Sequence, residues 1–491
     1  MLRPLGFLLM STLTAAADTD YALTIYSSAQ SNVQPEQLTD AATIPGYALV
    51  SDTRKMRLPD GRGEVRFTDV AQLIDPTTVA FASLTDPRGT RVLEQNYQFD
   101  LVSQAKLLER YIGQEIAVQQ RLGDKLVDLQ GTLLGSRDGL LIQTASGQVL
   151  SLNDYANVRF TALPGGLITR PTLVWLVEAK QGGEHQARVA YQTRGMTWWT
   201  DYNIVLGAED KKPTMDLTAW VTVVNQSGGS YPQAKIKLVA GEVNRAPTPA
   251  PMQTRMMAKS DVATQSVEEG FTEAGLFEYH LYTLGRRSDL PDNSTKQLEL
   301  FPGVRAVPVR RQLVFSVPNL QNTYFYGEAN ADQNLGSFAK GEVGAYLEFA
   351  NKADGGLGMP LPKGRVRVSQ AGPDGSLEFI GEDIIEHTPR NENLRLKLGK
   401  SFDVVGDRKQ TDFQVDAAGK TITESFEISI RNAKQVPVSL VAREYLYRWS
   451  AWEITKANAT YSKRDANTID FPVEIAAGGE TKLSYTVRYK W

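Results

Sequence analysis

Residues 196–241 read MTWWTDYNIVLGAEDKKPTMDLTAWVTVVNQSGGSYPQAKIKLVAG, and their pattern decides the fold class. From Met196 to Leu206, the residues Trp198, Tyr202, Ile204 and Leu206 fall on one face of an extended chain. From Leu217 to Asn225, Leu217, Ala219, Val221 and Val223 alternate with Thr218, Trp220 and Thr222. Ala234 to Gly241 repeats the pattern with Ile236, Leu238 and Ala240. A period of two, rich in Thr and aromatic residues, predicts half-buried antiparallel strands. Between the second and third strands, Asn225-Gln226-Ser227-Gly228-Gly229-Ser230-Tyr231-Pro232 is a run of turn formers that neither strand is expected to continue through.

The same alternation extends outward in both directions. Before it, Tyr21–Tyr26, Gly46–Leu58, Gly63–Asp69, Thr78–Leu84 and Arg91–Phe99 predict an N-terminal β domain over 18–99. Leu58-Pro59-Asp60-Gly61 is a tight turn, and the Leu-Pro-x-Gly string returns at Leu163–Gly166 and Leu361–Gly364. It marks either a recurring β unit or one favourable turn used three times. A single short helix is expected between Asp100 and Gly113, capped by Asp100 or Ser103, with Leu101, Ala105, Leu108 and Ile112 on its packed face. Five short strands with hairpin turns at Arg137-Asp138-Gly139 and Ala145-Ser146-Gly147 then predict a small SH3- or Sm-like barrel, so that helix and barrel occupy 100–165. A large C-terminal region, 173–491, carries strand after strand with turns about every ten residues. It is broken by an aperiodic loop, 244–275, expected to be flexible and holding Met252, Met256 and Met257. The expectation is an all-β, multi-domain protein of β-sandwiches with a small SH3/Sm-like barrel and one short connecting helix.

Composition narrows the function. Residues 1–17 have a basic start, an apolar run Leu5–Leu13 and the small residues Ala15-Ala16-Ala17, which predicts a secretory signal cleaved after Ala17. The run is shorter than the roughly 20 residues a spanning helix needs. Without cysteine the chain has neither disulfide nor thiolate chemistry. Removing Arg3 with the signal leaves 52 of the 53 basic residues against 56 acidic ones, a formal charge of −4 with no long-range pull toward nucleic acid.

Chemistry is sparse in the sequence. His185, His280 and His387 lie far apart and form no metal-binding spacing, and the nucleophile-elbow, phosphate-loop and dinucleotide fingerprints are missing. Asn330-x-Asp332-x-Asn334 with Gly336 and Glu342 is similar to a calcium loop, with the glycine and the last carboxylate each one place late. Three methionines without His or Cys make a poor soft-metal set. Trp198 and Trp199 point to opposite faces, one into the core and the other covered or offered to a partner. The last strand alternates Leu483, Tyr485, Val487 and Tyr489 with polar residues and ends at Trp491, which fits a sandwich edge or the terminal strand of an outer-membrane barrel.

Val223-Val224-Asn225-Gln226-Ser227-Gly228, followed by Ile236-Lys237-Leu238-Val239-Ala240-Gly241-Glu242, resembles the signature of the bacterial family called domain of unknown function 4139. Trp198–Tyr202, Phe277–Thr283, Lys296–Leu300, Leu361–Gly364 and the closing Tyr485–Arg488 with Trp491 extend the resemblance over roughly 173–491. The family is distantly related to the one called mucoidy inhibitor A. The resemblance implies an exported β-rich protein of Gram-negative bacteria and supplies no catalytic residue. The sequence therefore predicts a soluble periplasmic, non-catalytic binding or scaffolding protein of the cell envelope. No catalytic, cofactor-binding or metal residue is assigned, no cofactor is implied, and the partner is an envelope protein or glycan. An outer-membrane barrel or a carboxylate-dependent hydrolase is the alternative.

Overall fold

The computed structural model describes residues 19–27, 41–98, 102–122, 125–137, 139–162, 164, 168–207, 213–241, 271–276, 279–320, 329–372 and 374–491. Residues 1–17, the three methionines and most of 244–275 lie outside them. Among the described residues the regular structure is almost entirely β, with one α-helix, and no helix is long and apolar enough to cross a membrane. The alternation at 196–241 becomes strands Met196–Leu206, Thr214–Asn225 and Tyr231–Ala240. Tyr231 and Pro232 thus belong to a strand, against expectation. An irregularity between Tyr231 and Ala234, with Gln233 at φ 48°, absorbs the proline.

The chain divides into two compact units, Met1–Trp198 with Val223–Thr272 and Leu281–Lys296, and Trp199–Thr222 with Glu273–His280 and Gln297–Trp491. In the first unit, Asp20–Tyr26 pairs in parallel with Tyr231–Ala240 and antiparallel with Tyr47–Leu58, which pairs in turn with Gly183–Thr193. Leu23, Ile25, Val50, Ile236 and Leu238 are wholly buried by this register. A three-stranded sheet sets Thr172–Ala179 between Gly61–Thr68 and Thr90–Gln98. Its Trp175 is fully buried beside Phe67 and against Phe81 of the larger sheet, 5.2 Å between ring centroids. Strand pairing therefore runs across residues 99 and 173, where the sequence suggests boundaries.

The helix is Gln104–Arg110, with Ser103 as its N-cap accepting from the Lys106 amide. Leu108 packs as expected, but Ile112 is half exposed and Tyr111 takes its place in the core. The segment expected to be a barrel is a five-stranded antiparallel sheet with Asn157–Arg159 and Val149–Leu152 at its edges. It has its own core of Ile116, Val118, Leu133, Leu140 and Ile142.

In the second unit, Met196–Leu206 pairs in parallel with Gly364–Ala371. The expected loop 244–275 is corrected at its end, because Phe271–Leu276 is a strand. Two further sheets of this unit form a sandwich. One orders Asn393–Lys400, Glu342–Ala350, Arg310–Ser316, Val438–Tyr445, Thr468–Ile475 and Ser462–Lys463; the other orders Phe338–Lys340, Val404–Asp416, Thr421–Asn432, Glu480–Lys490 and Trp452–Ala457. Phe315, Val343, Ala442 and Phe471 of the first meet Ile422, Phe426, Ile428, Leu483 and Tyr485 of the second in one buried cluster.

Three buried asparagines close strand ends. Asn225 Nδ2 donates to the carbonyls of Gly229 (2.8 Å) and Pro291 (2.9 Å), while its Oδ1 accepts from Ser227 N (3.1 Å). Asn351 holds the Met359 and Pro389 carbonyls, and Asn432 those of Val436 and Ala476, in the same way. Each sits at or just past a strand's end and satisfies carbonyls of the adjoining loops that no ladder pairs.

Candidate functional site

The six-stranded sheet of the sandwich turns every second residue away from the core. Its register sets Ser316 beside Glu342, Tyr346 beside Lys397, Glu348 beside Arg395, Arg443 beside Asp470 and Tyr445 beside Thr468. Many of these outward side chains, with residues 464–467 and the end formed by Pro318, Leu320, Leu446 and Tyr447, line a cavity of ≈ 720 Å³. That lies within the roughly 300–1,000 Å³ of ordinary ligand sites.

Around this cavity each of three carboxylates is shared by two cations. Glu342 receives Lys397 Nζ at 2.9 Å and also Lys400 Nζ, and these ion pairs, Lys400 first, hold its carboxyl below the usual range. Asp470 takes both arms of Arg443, at 2.8 and 2.9 Å, with Arg464 3.9 Å away. Glu348 lies 3.2 Å from Arg395 Nε and 3.9 Å from Arg310 Nε. Burial lowers the affinity of Arg443 for its proton, but Asp470 outweighs it and raises the net value. At Arg395 the balance tips the other way: burial, then the charge of Arg443, lower its pKa by more than Glu348 restores, and its guanidinium lies 3.9 Å above the Tyr346 ring. Among the residues that line the cavity, Arg395, Lys397, Arg443 and Arg464 are cations and Glu342 and Asp465 are carboxylates, a formal charge of +2 in a chain of −3 overall. Such a surplus can hold an anion.

The loop similar to a calcium site folds around arginine instead. Asn330 and Asp332 use their side chains in local turns, accepting from Asp332 N (2.8 Å) and Asn334 N (2.9 Å). The backbone carbonyls of Asn330, Asp332 and Leu335 accept from Arg448 at 2.8, 2.9 and 3.0 Å, and that of Gly336 from Arg408 at 2.8 Å. Glu342 goes to the lysines. Arg448 lies 2.8 Å from Glu424, and Arg408 2.7 Å from Glu444, all four being almost wholly buried in the sandwich. Burial would depress the pKa of Arg408, but the Glu444 charge more than reverses it. Burial first and then the same charge push the Tyr485 hydroxyl, which donates to Glu444, well up. Two guanidinium groups thus occupy the place where the spacing suggests a metal. Among the described residues, no group of three or more His, Asp or Glu is arranged to hold one.

The other residues singled out in the sequence do not converge. His185 is buried, with Nε2 2.9 Å from the Gln181 carbonyl and Nδ1 2.9 Å from Ser83 Oγ, which also accepts from Asp86 N. This serine–histidine pair is a closed structural link, both side chains being almost wholly buried. His280 bonds Glu273, and His387 accepts from Lys363 N. Trp198 is buried with Nε1 on the Ile25 carbonyl; Trp199 is half-buried with Nε1 on Asp201. The apolar residues of the last strand, Leu483 to Tyr489, are buried in the sandwich core.

The chain matches no protein-family model and no curated protein. Sequence reasoning missed the buried charges, although a signal existed. Glu424 keeps the parity of Ile422, Phe426 and Ile428, and Glu444 that of Ala442, so each is a charge in phase with core residues.

Proposed function

We propose that the chain is an exported, non-catalytic binding protein of the cell envelope, of the kind implied by its resemblance to the domain of unknown function 4139. The observation that carries the binding reading is the cation-rich cavity on the outward face of the six-stranded sheet. Its arginines are fixed by shared carboxylates and an aromatic face, so the charge is presented by a rigid scaffold rather than by free surface side chains. Glu424 and Glu444, the two carboxylates buried in the sandwich, are each paired with an arginine, which favours binding over acid–base chemistry. The N-terminal pattern supports export.

Fractionation of cells expressing the full chain, with sequencing of the mature N-terminus, tests the compartment: release with the periplasm and a start at Asp18 is expected. Native mass spectrometry of that protein tests the cavity. A co-purifying ligand lost in Ser316→Trp supports the reading. Retention in the cytoplasm, recovery only in detergent-extracted outer membrane, or a mass identical to the bare chain in both proteins refutes it.

A further inference from the structure

We infer that the cavity takes an acidic carbohydrate, a short saccharide bearing carboxylate or phosphate groups; this rests on the binding reading above. Three features of the same wall point to this chemistry. The first is the charge: the four cations of the lining, Arg395, Lys397, Arg443 and Arg464, outnumber its two carboxylates, Glu342 and Asp465. Arg395 is the focus. It lines the cavity, is partly buried and feels the repulsion of Arg443. An arriving oxyanion lowers that repulsion, and a planar guanidinium held flat on Tyr346 is suited to a planar or tetrahedral oxyanion.

The second feature is polarity. Sites for apolar ligands are lined mainly by hydrophobic side chains. Here Ser316, Tyr445, Asn467 and Thr468 bring hydroxyl and amide groups to the lining beside the charged residues. Groups of this kind suit a ligand that carries hydroxyls throughout, not only an anionic end. The third feature is size. At ≈ 720 Å³ the cavity is far larger than an isolated phosphate or sulfate requires, and it extends from Arg395 and Lys397 on one side to residues 464–468 on the other. An anion anchored at Arg395 leaves the rest of the wall to the body of the molecule.

The test is isothermal titration of the full-length mature protein with a galacturonic acid trisaccharide, a galactose 6-phosphate, a neutral galactose trisaccharide and inorganic phosphate. The acidic trisaccharide, the sugar phosphate, or both are expected to bind at least about tenfold more tightly than either the neutral sugar or phosphate alone. Affinity should fall as salt rises from about 0.05 to about 0.5 M. Arg395→Gln should lower it by about tenfold or more while leaving the circular dichroism spectrum unchanged, and Ser316→Trp should remove it. Should Arg395→Gln fail to fold, Lys397→Gln carries the same test. Equal binding of acidic and neutral sugars, full affinity for phosphate alone, or unchanged affinity in folded Arg395→Gln overturns the inference. If no acidic sugar binds but a different ligand co-purifies and is lost in Ser316→Trp, the carbohydrate class is wrong and the binding reading stands. If nothing binds and nothing co-purifies, both fall.

Discussion

Replacing Arg448 by methionine removes the cation at the centre of the buried network while keeping an unbranched apolar stem. Arg448 and Glu424 are both fully buried, 2.8 Å apart. After the change Glu424 keeps one strong donor, Gln410 Nε2 at 2.9 Å, inside a core of Ile422, Phe426 and Tyr489. Leaving one partner of a buried ion pair uncompensated costs about 3–5 kcal/mol. The carbonyls of Asn330 and Asp332 also lose their donor, while that of Leu335 keeps the Tyr447 hydroxyl at 3.1 Å; Asp332 is exposed and Asn330 only half-buried, so water replaces the guanidinium there and the loop adds only about 1 kcal/mol. The total of about 4–6 kcal/mol is a large part of the roughly 5–15 kcal/mol that holds a typical domain folded. Adding Glu424→Gln removes the orphaned charge, so the double variant should regain about half of the loss, a coupling readable in a double-mutant cycle. Guanidinium unfolding of the full-length chain, followed by the fluorescence of Trp449, Trp452 and Trp491 packed against this core, gives the measurement. A loss below about 1 kcal/mol in Arg448→Met, or a double variant no more stable than it, would refute the account.

Asn225→Ala strands the Gly229 and Pro291 carbonyls in a buried site and should cost about 2–3 kcal/mol, seen as a lower denaturant midpoint; a neutral effect would show that water replaces the side chain. At Gly364 a Cβ would stand 2.2 Å from the Thr200 carbonyl, so Gly364→Ala should destabilise by about 2–4 kcal/mol, and an unchanged midpoint would mean that the parallel pair relaxes freely. Burial first, then the charges of Glu444 and Glu424, push the phenols of Tyr485 and Tyr489 well above their ordinary value. A raised folded value means that their contribution is intact below about pH 10 and is lost as pH climbs through the folded values. Stability measured from about pH 8 to 12 should therefore drop above about pH 10, and a flat profile would contradict this. Millimolar calcium should leave the melting temperature unchanged, because the 330–336 carbonyls already face guanidinium groups.

The strands were legible because burial on one face writes a period of two into the chain. Met196–Leu206 is bounded as the pattern predicts, and Phe426, Ile428 and Ile430 point inward together. The limits of this signal are equally physical. Alternation says which residues share a face but not which strands become neighbours, so the parallel pairing of Asp20–Tyr26 with Tyr231–Ala240, more than two hundred residues apart, left no local trace. The cavity was hidden for the same reason. Arg395 and Lys397 share one strand, Arg443 lies on another and Arg464 in a loop, each at an outward position where it alone is indistinguishable from a solvated surface charge. The asparagine-rich loop was read by its side chains, whereas its backbone carbonyls do the binding.

The closing of that loop on Arg448 has a kinetic consequence. The hydrogen bond from Arg448 to the Asn330 carbonyl joins residues 118 apart in the chain, and both sheets of the sandwich must be in register before the guanidinium stands where the loop can reach it. Contacts of such sequence separation form late, since the entropy of closing the intervening chain is lost before they give anything back. An interaction absent from the transition state leaves the folding rate alone and acts on the rate of escape from the native state. The arginine-centred loop thus works as a latch: once shut, it lengthens the lifetime of the folded sandwich, in a chain that has no disulfide to do so.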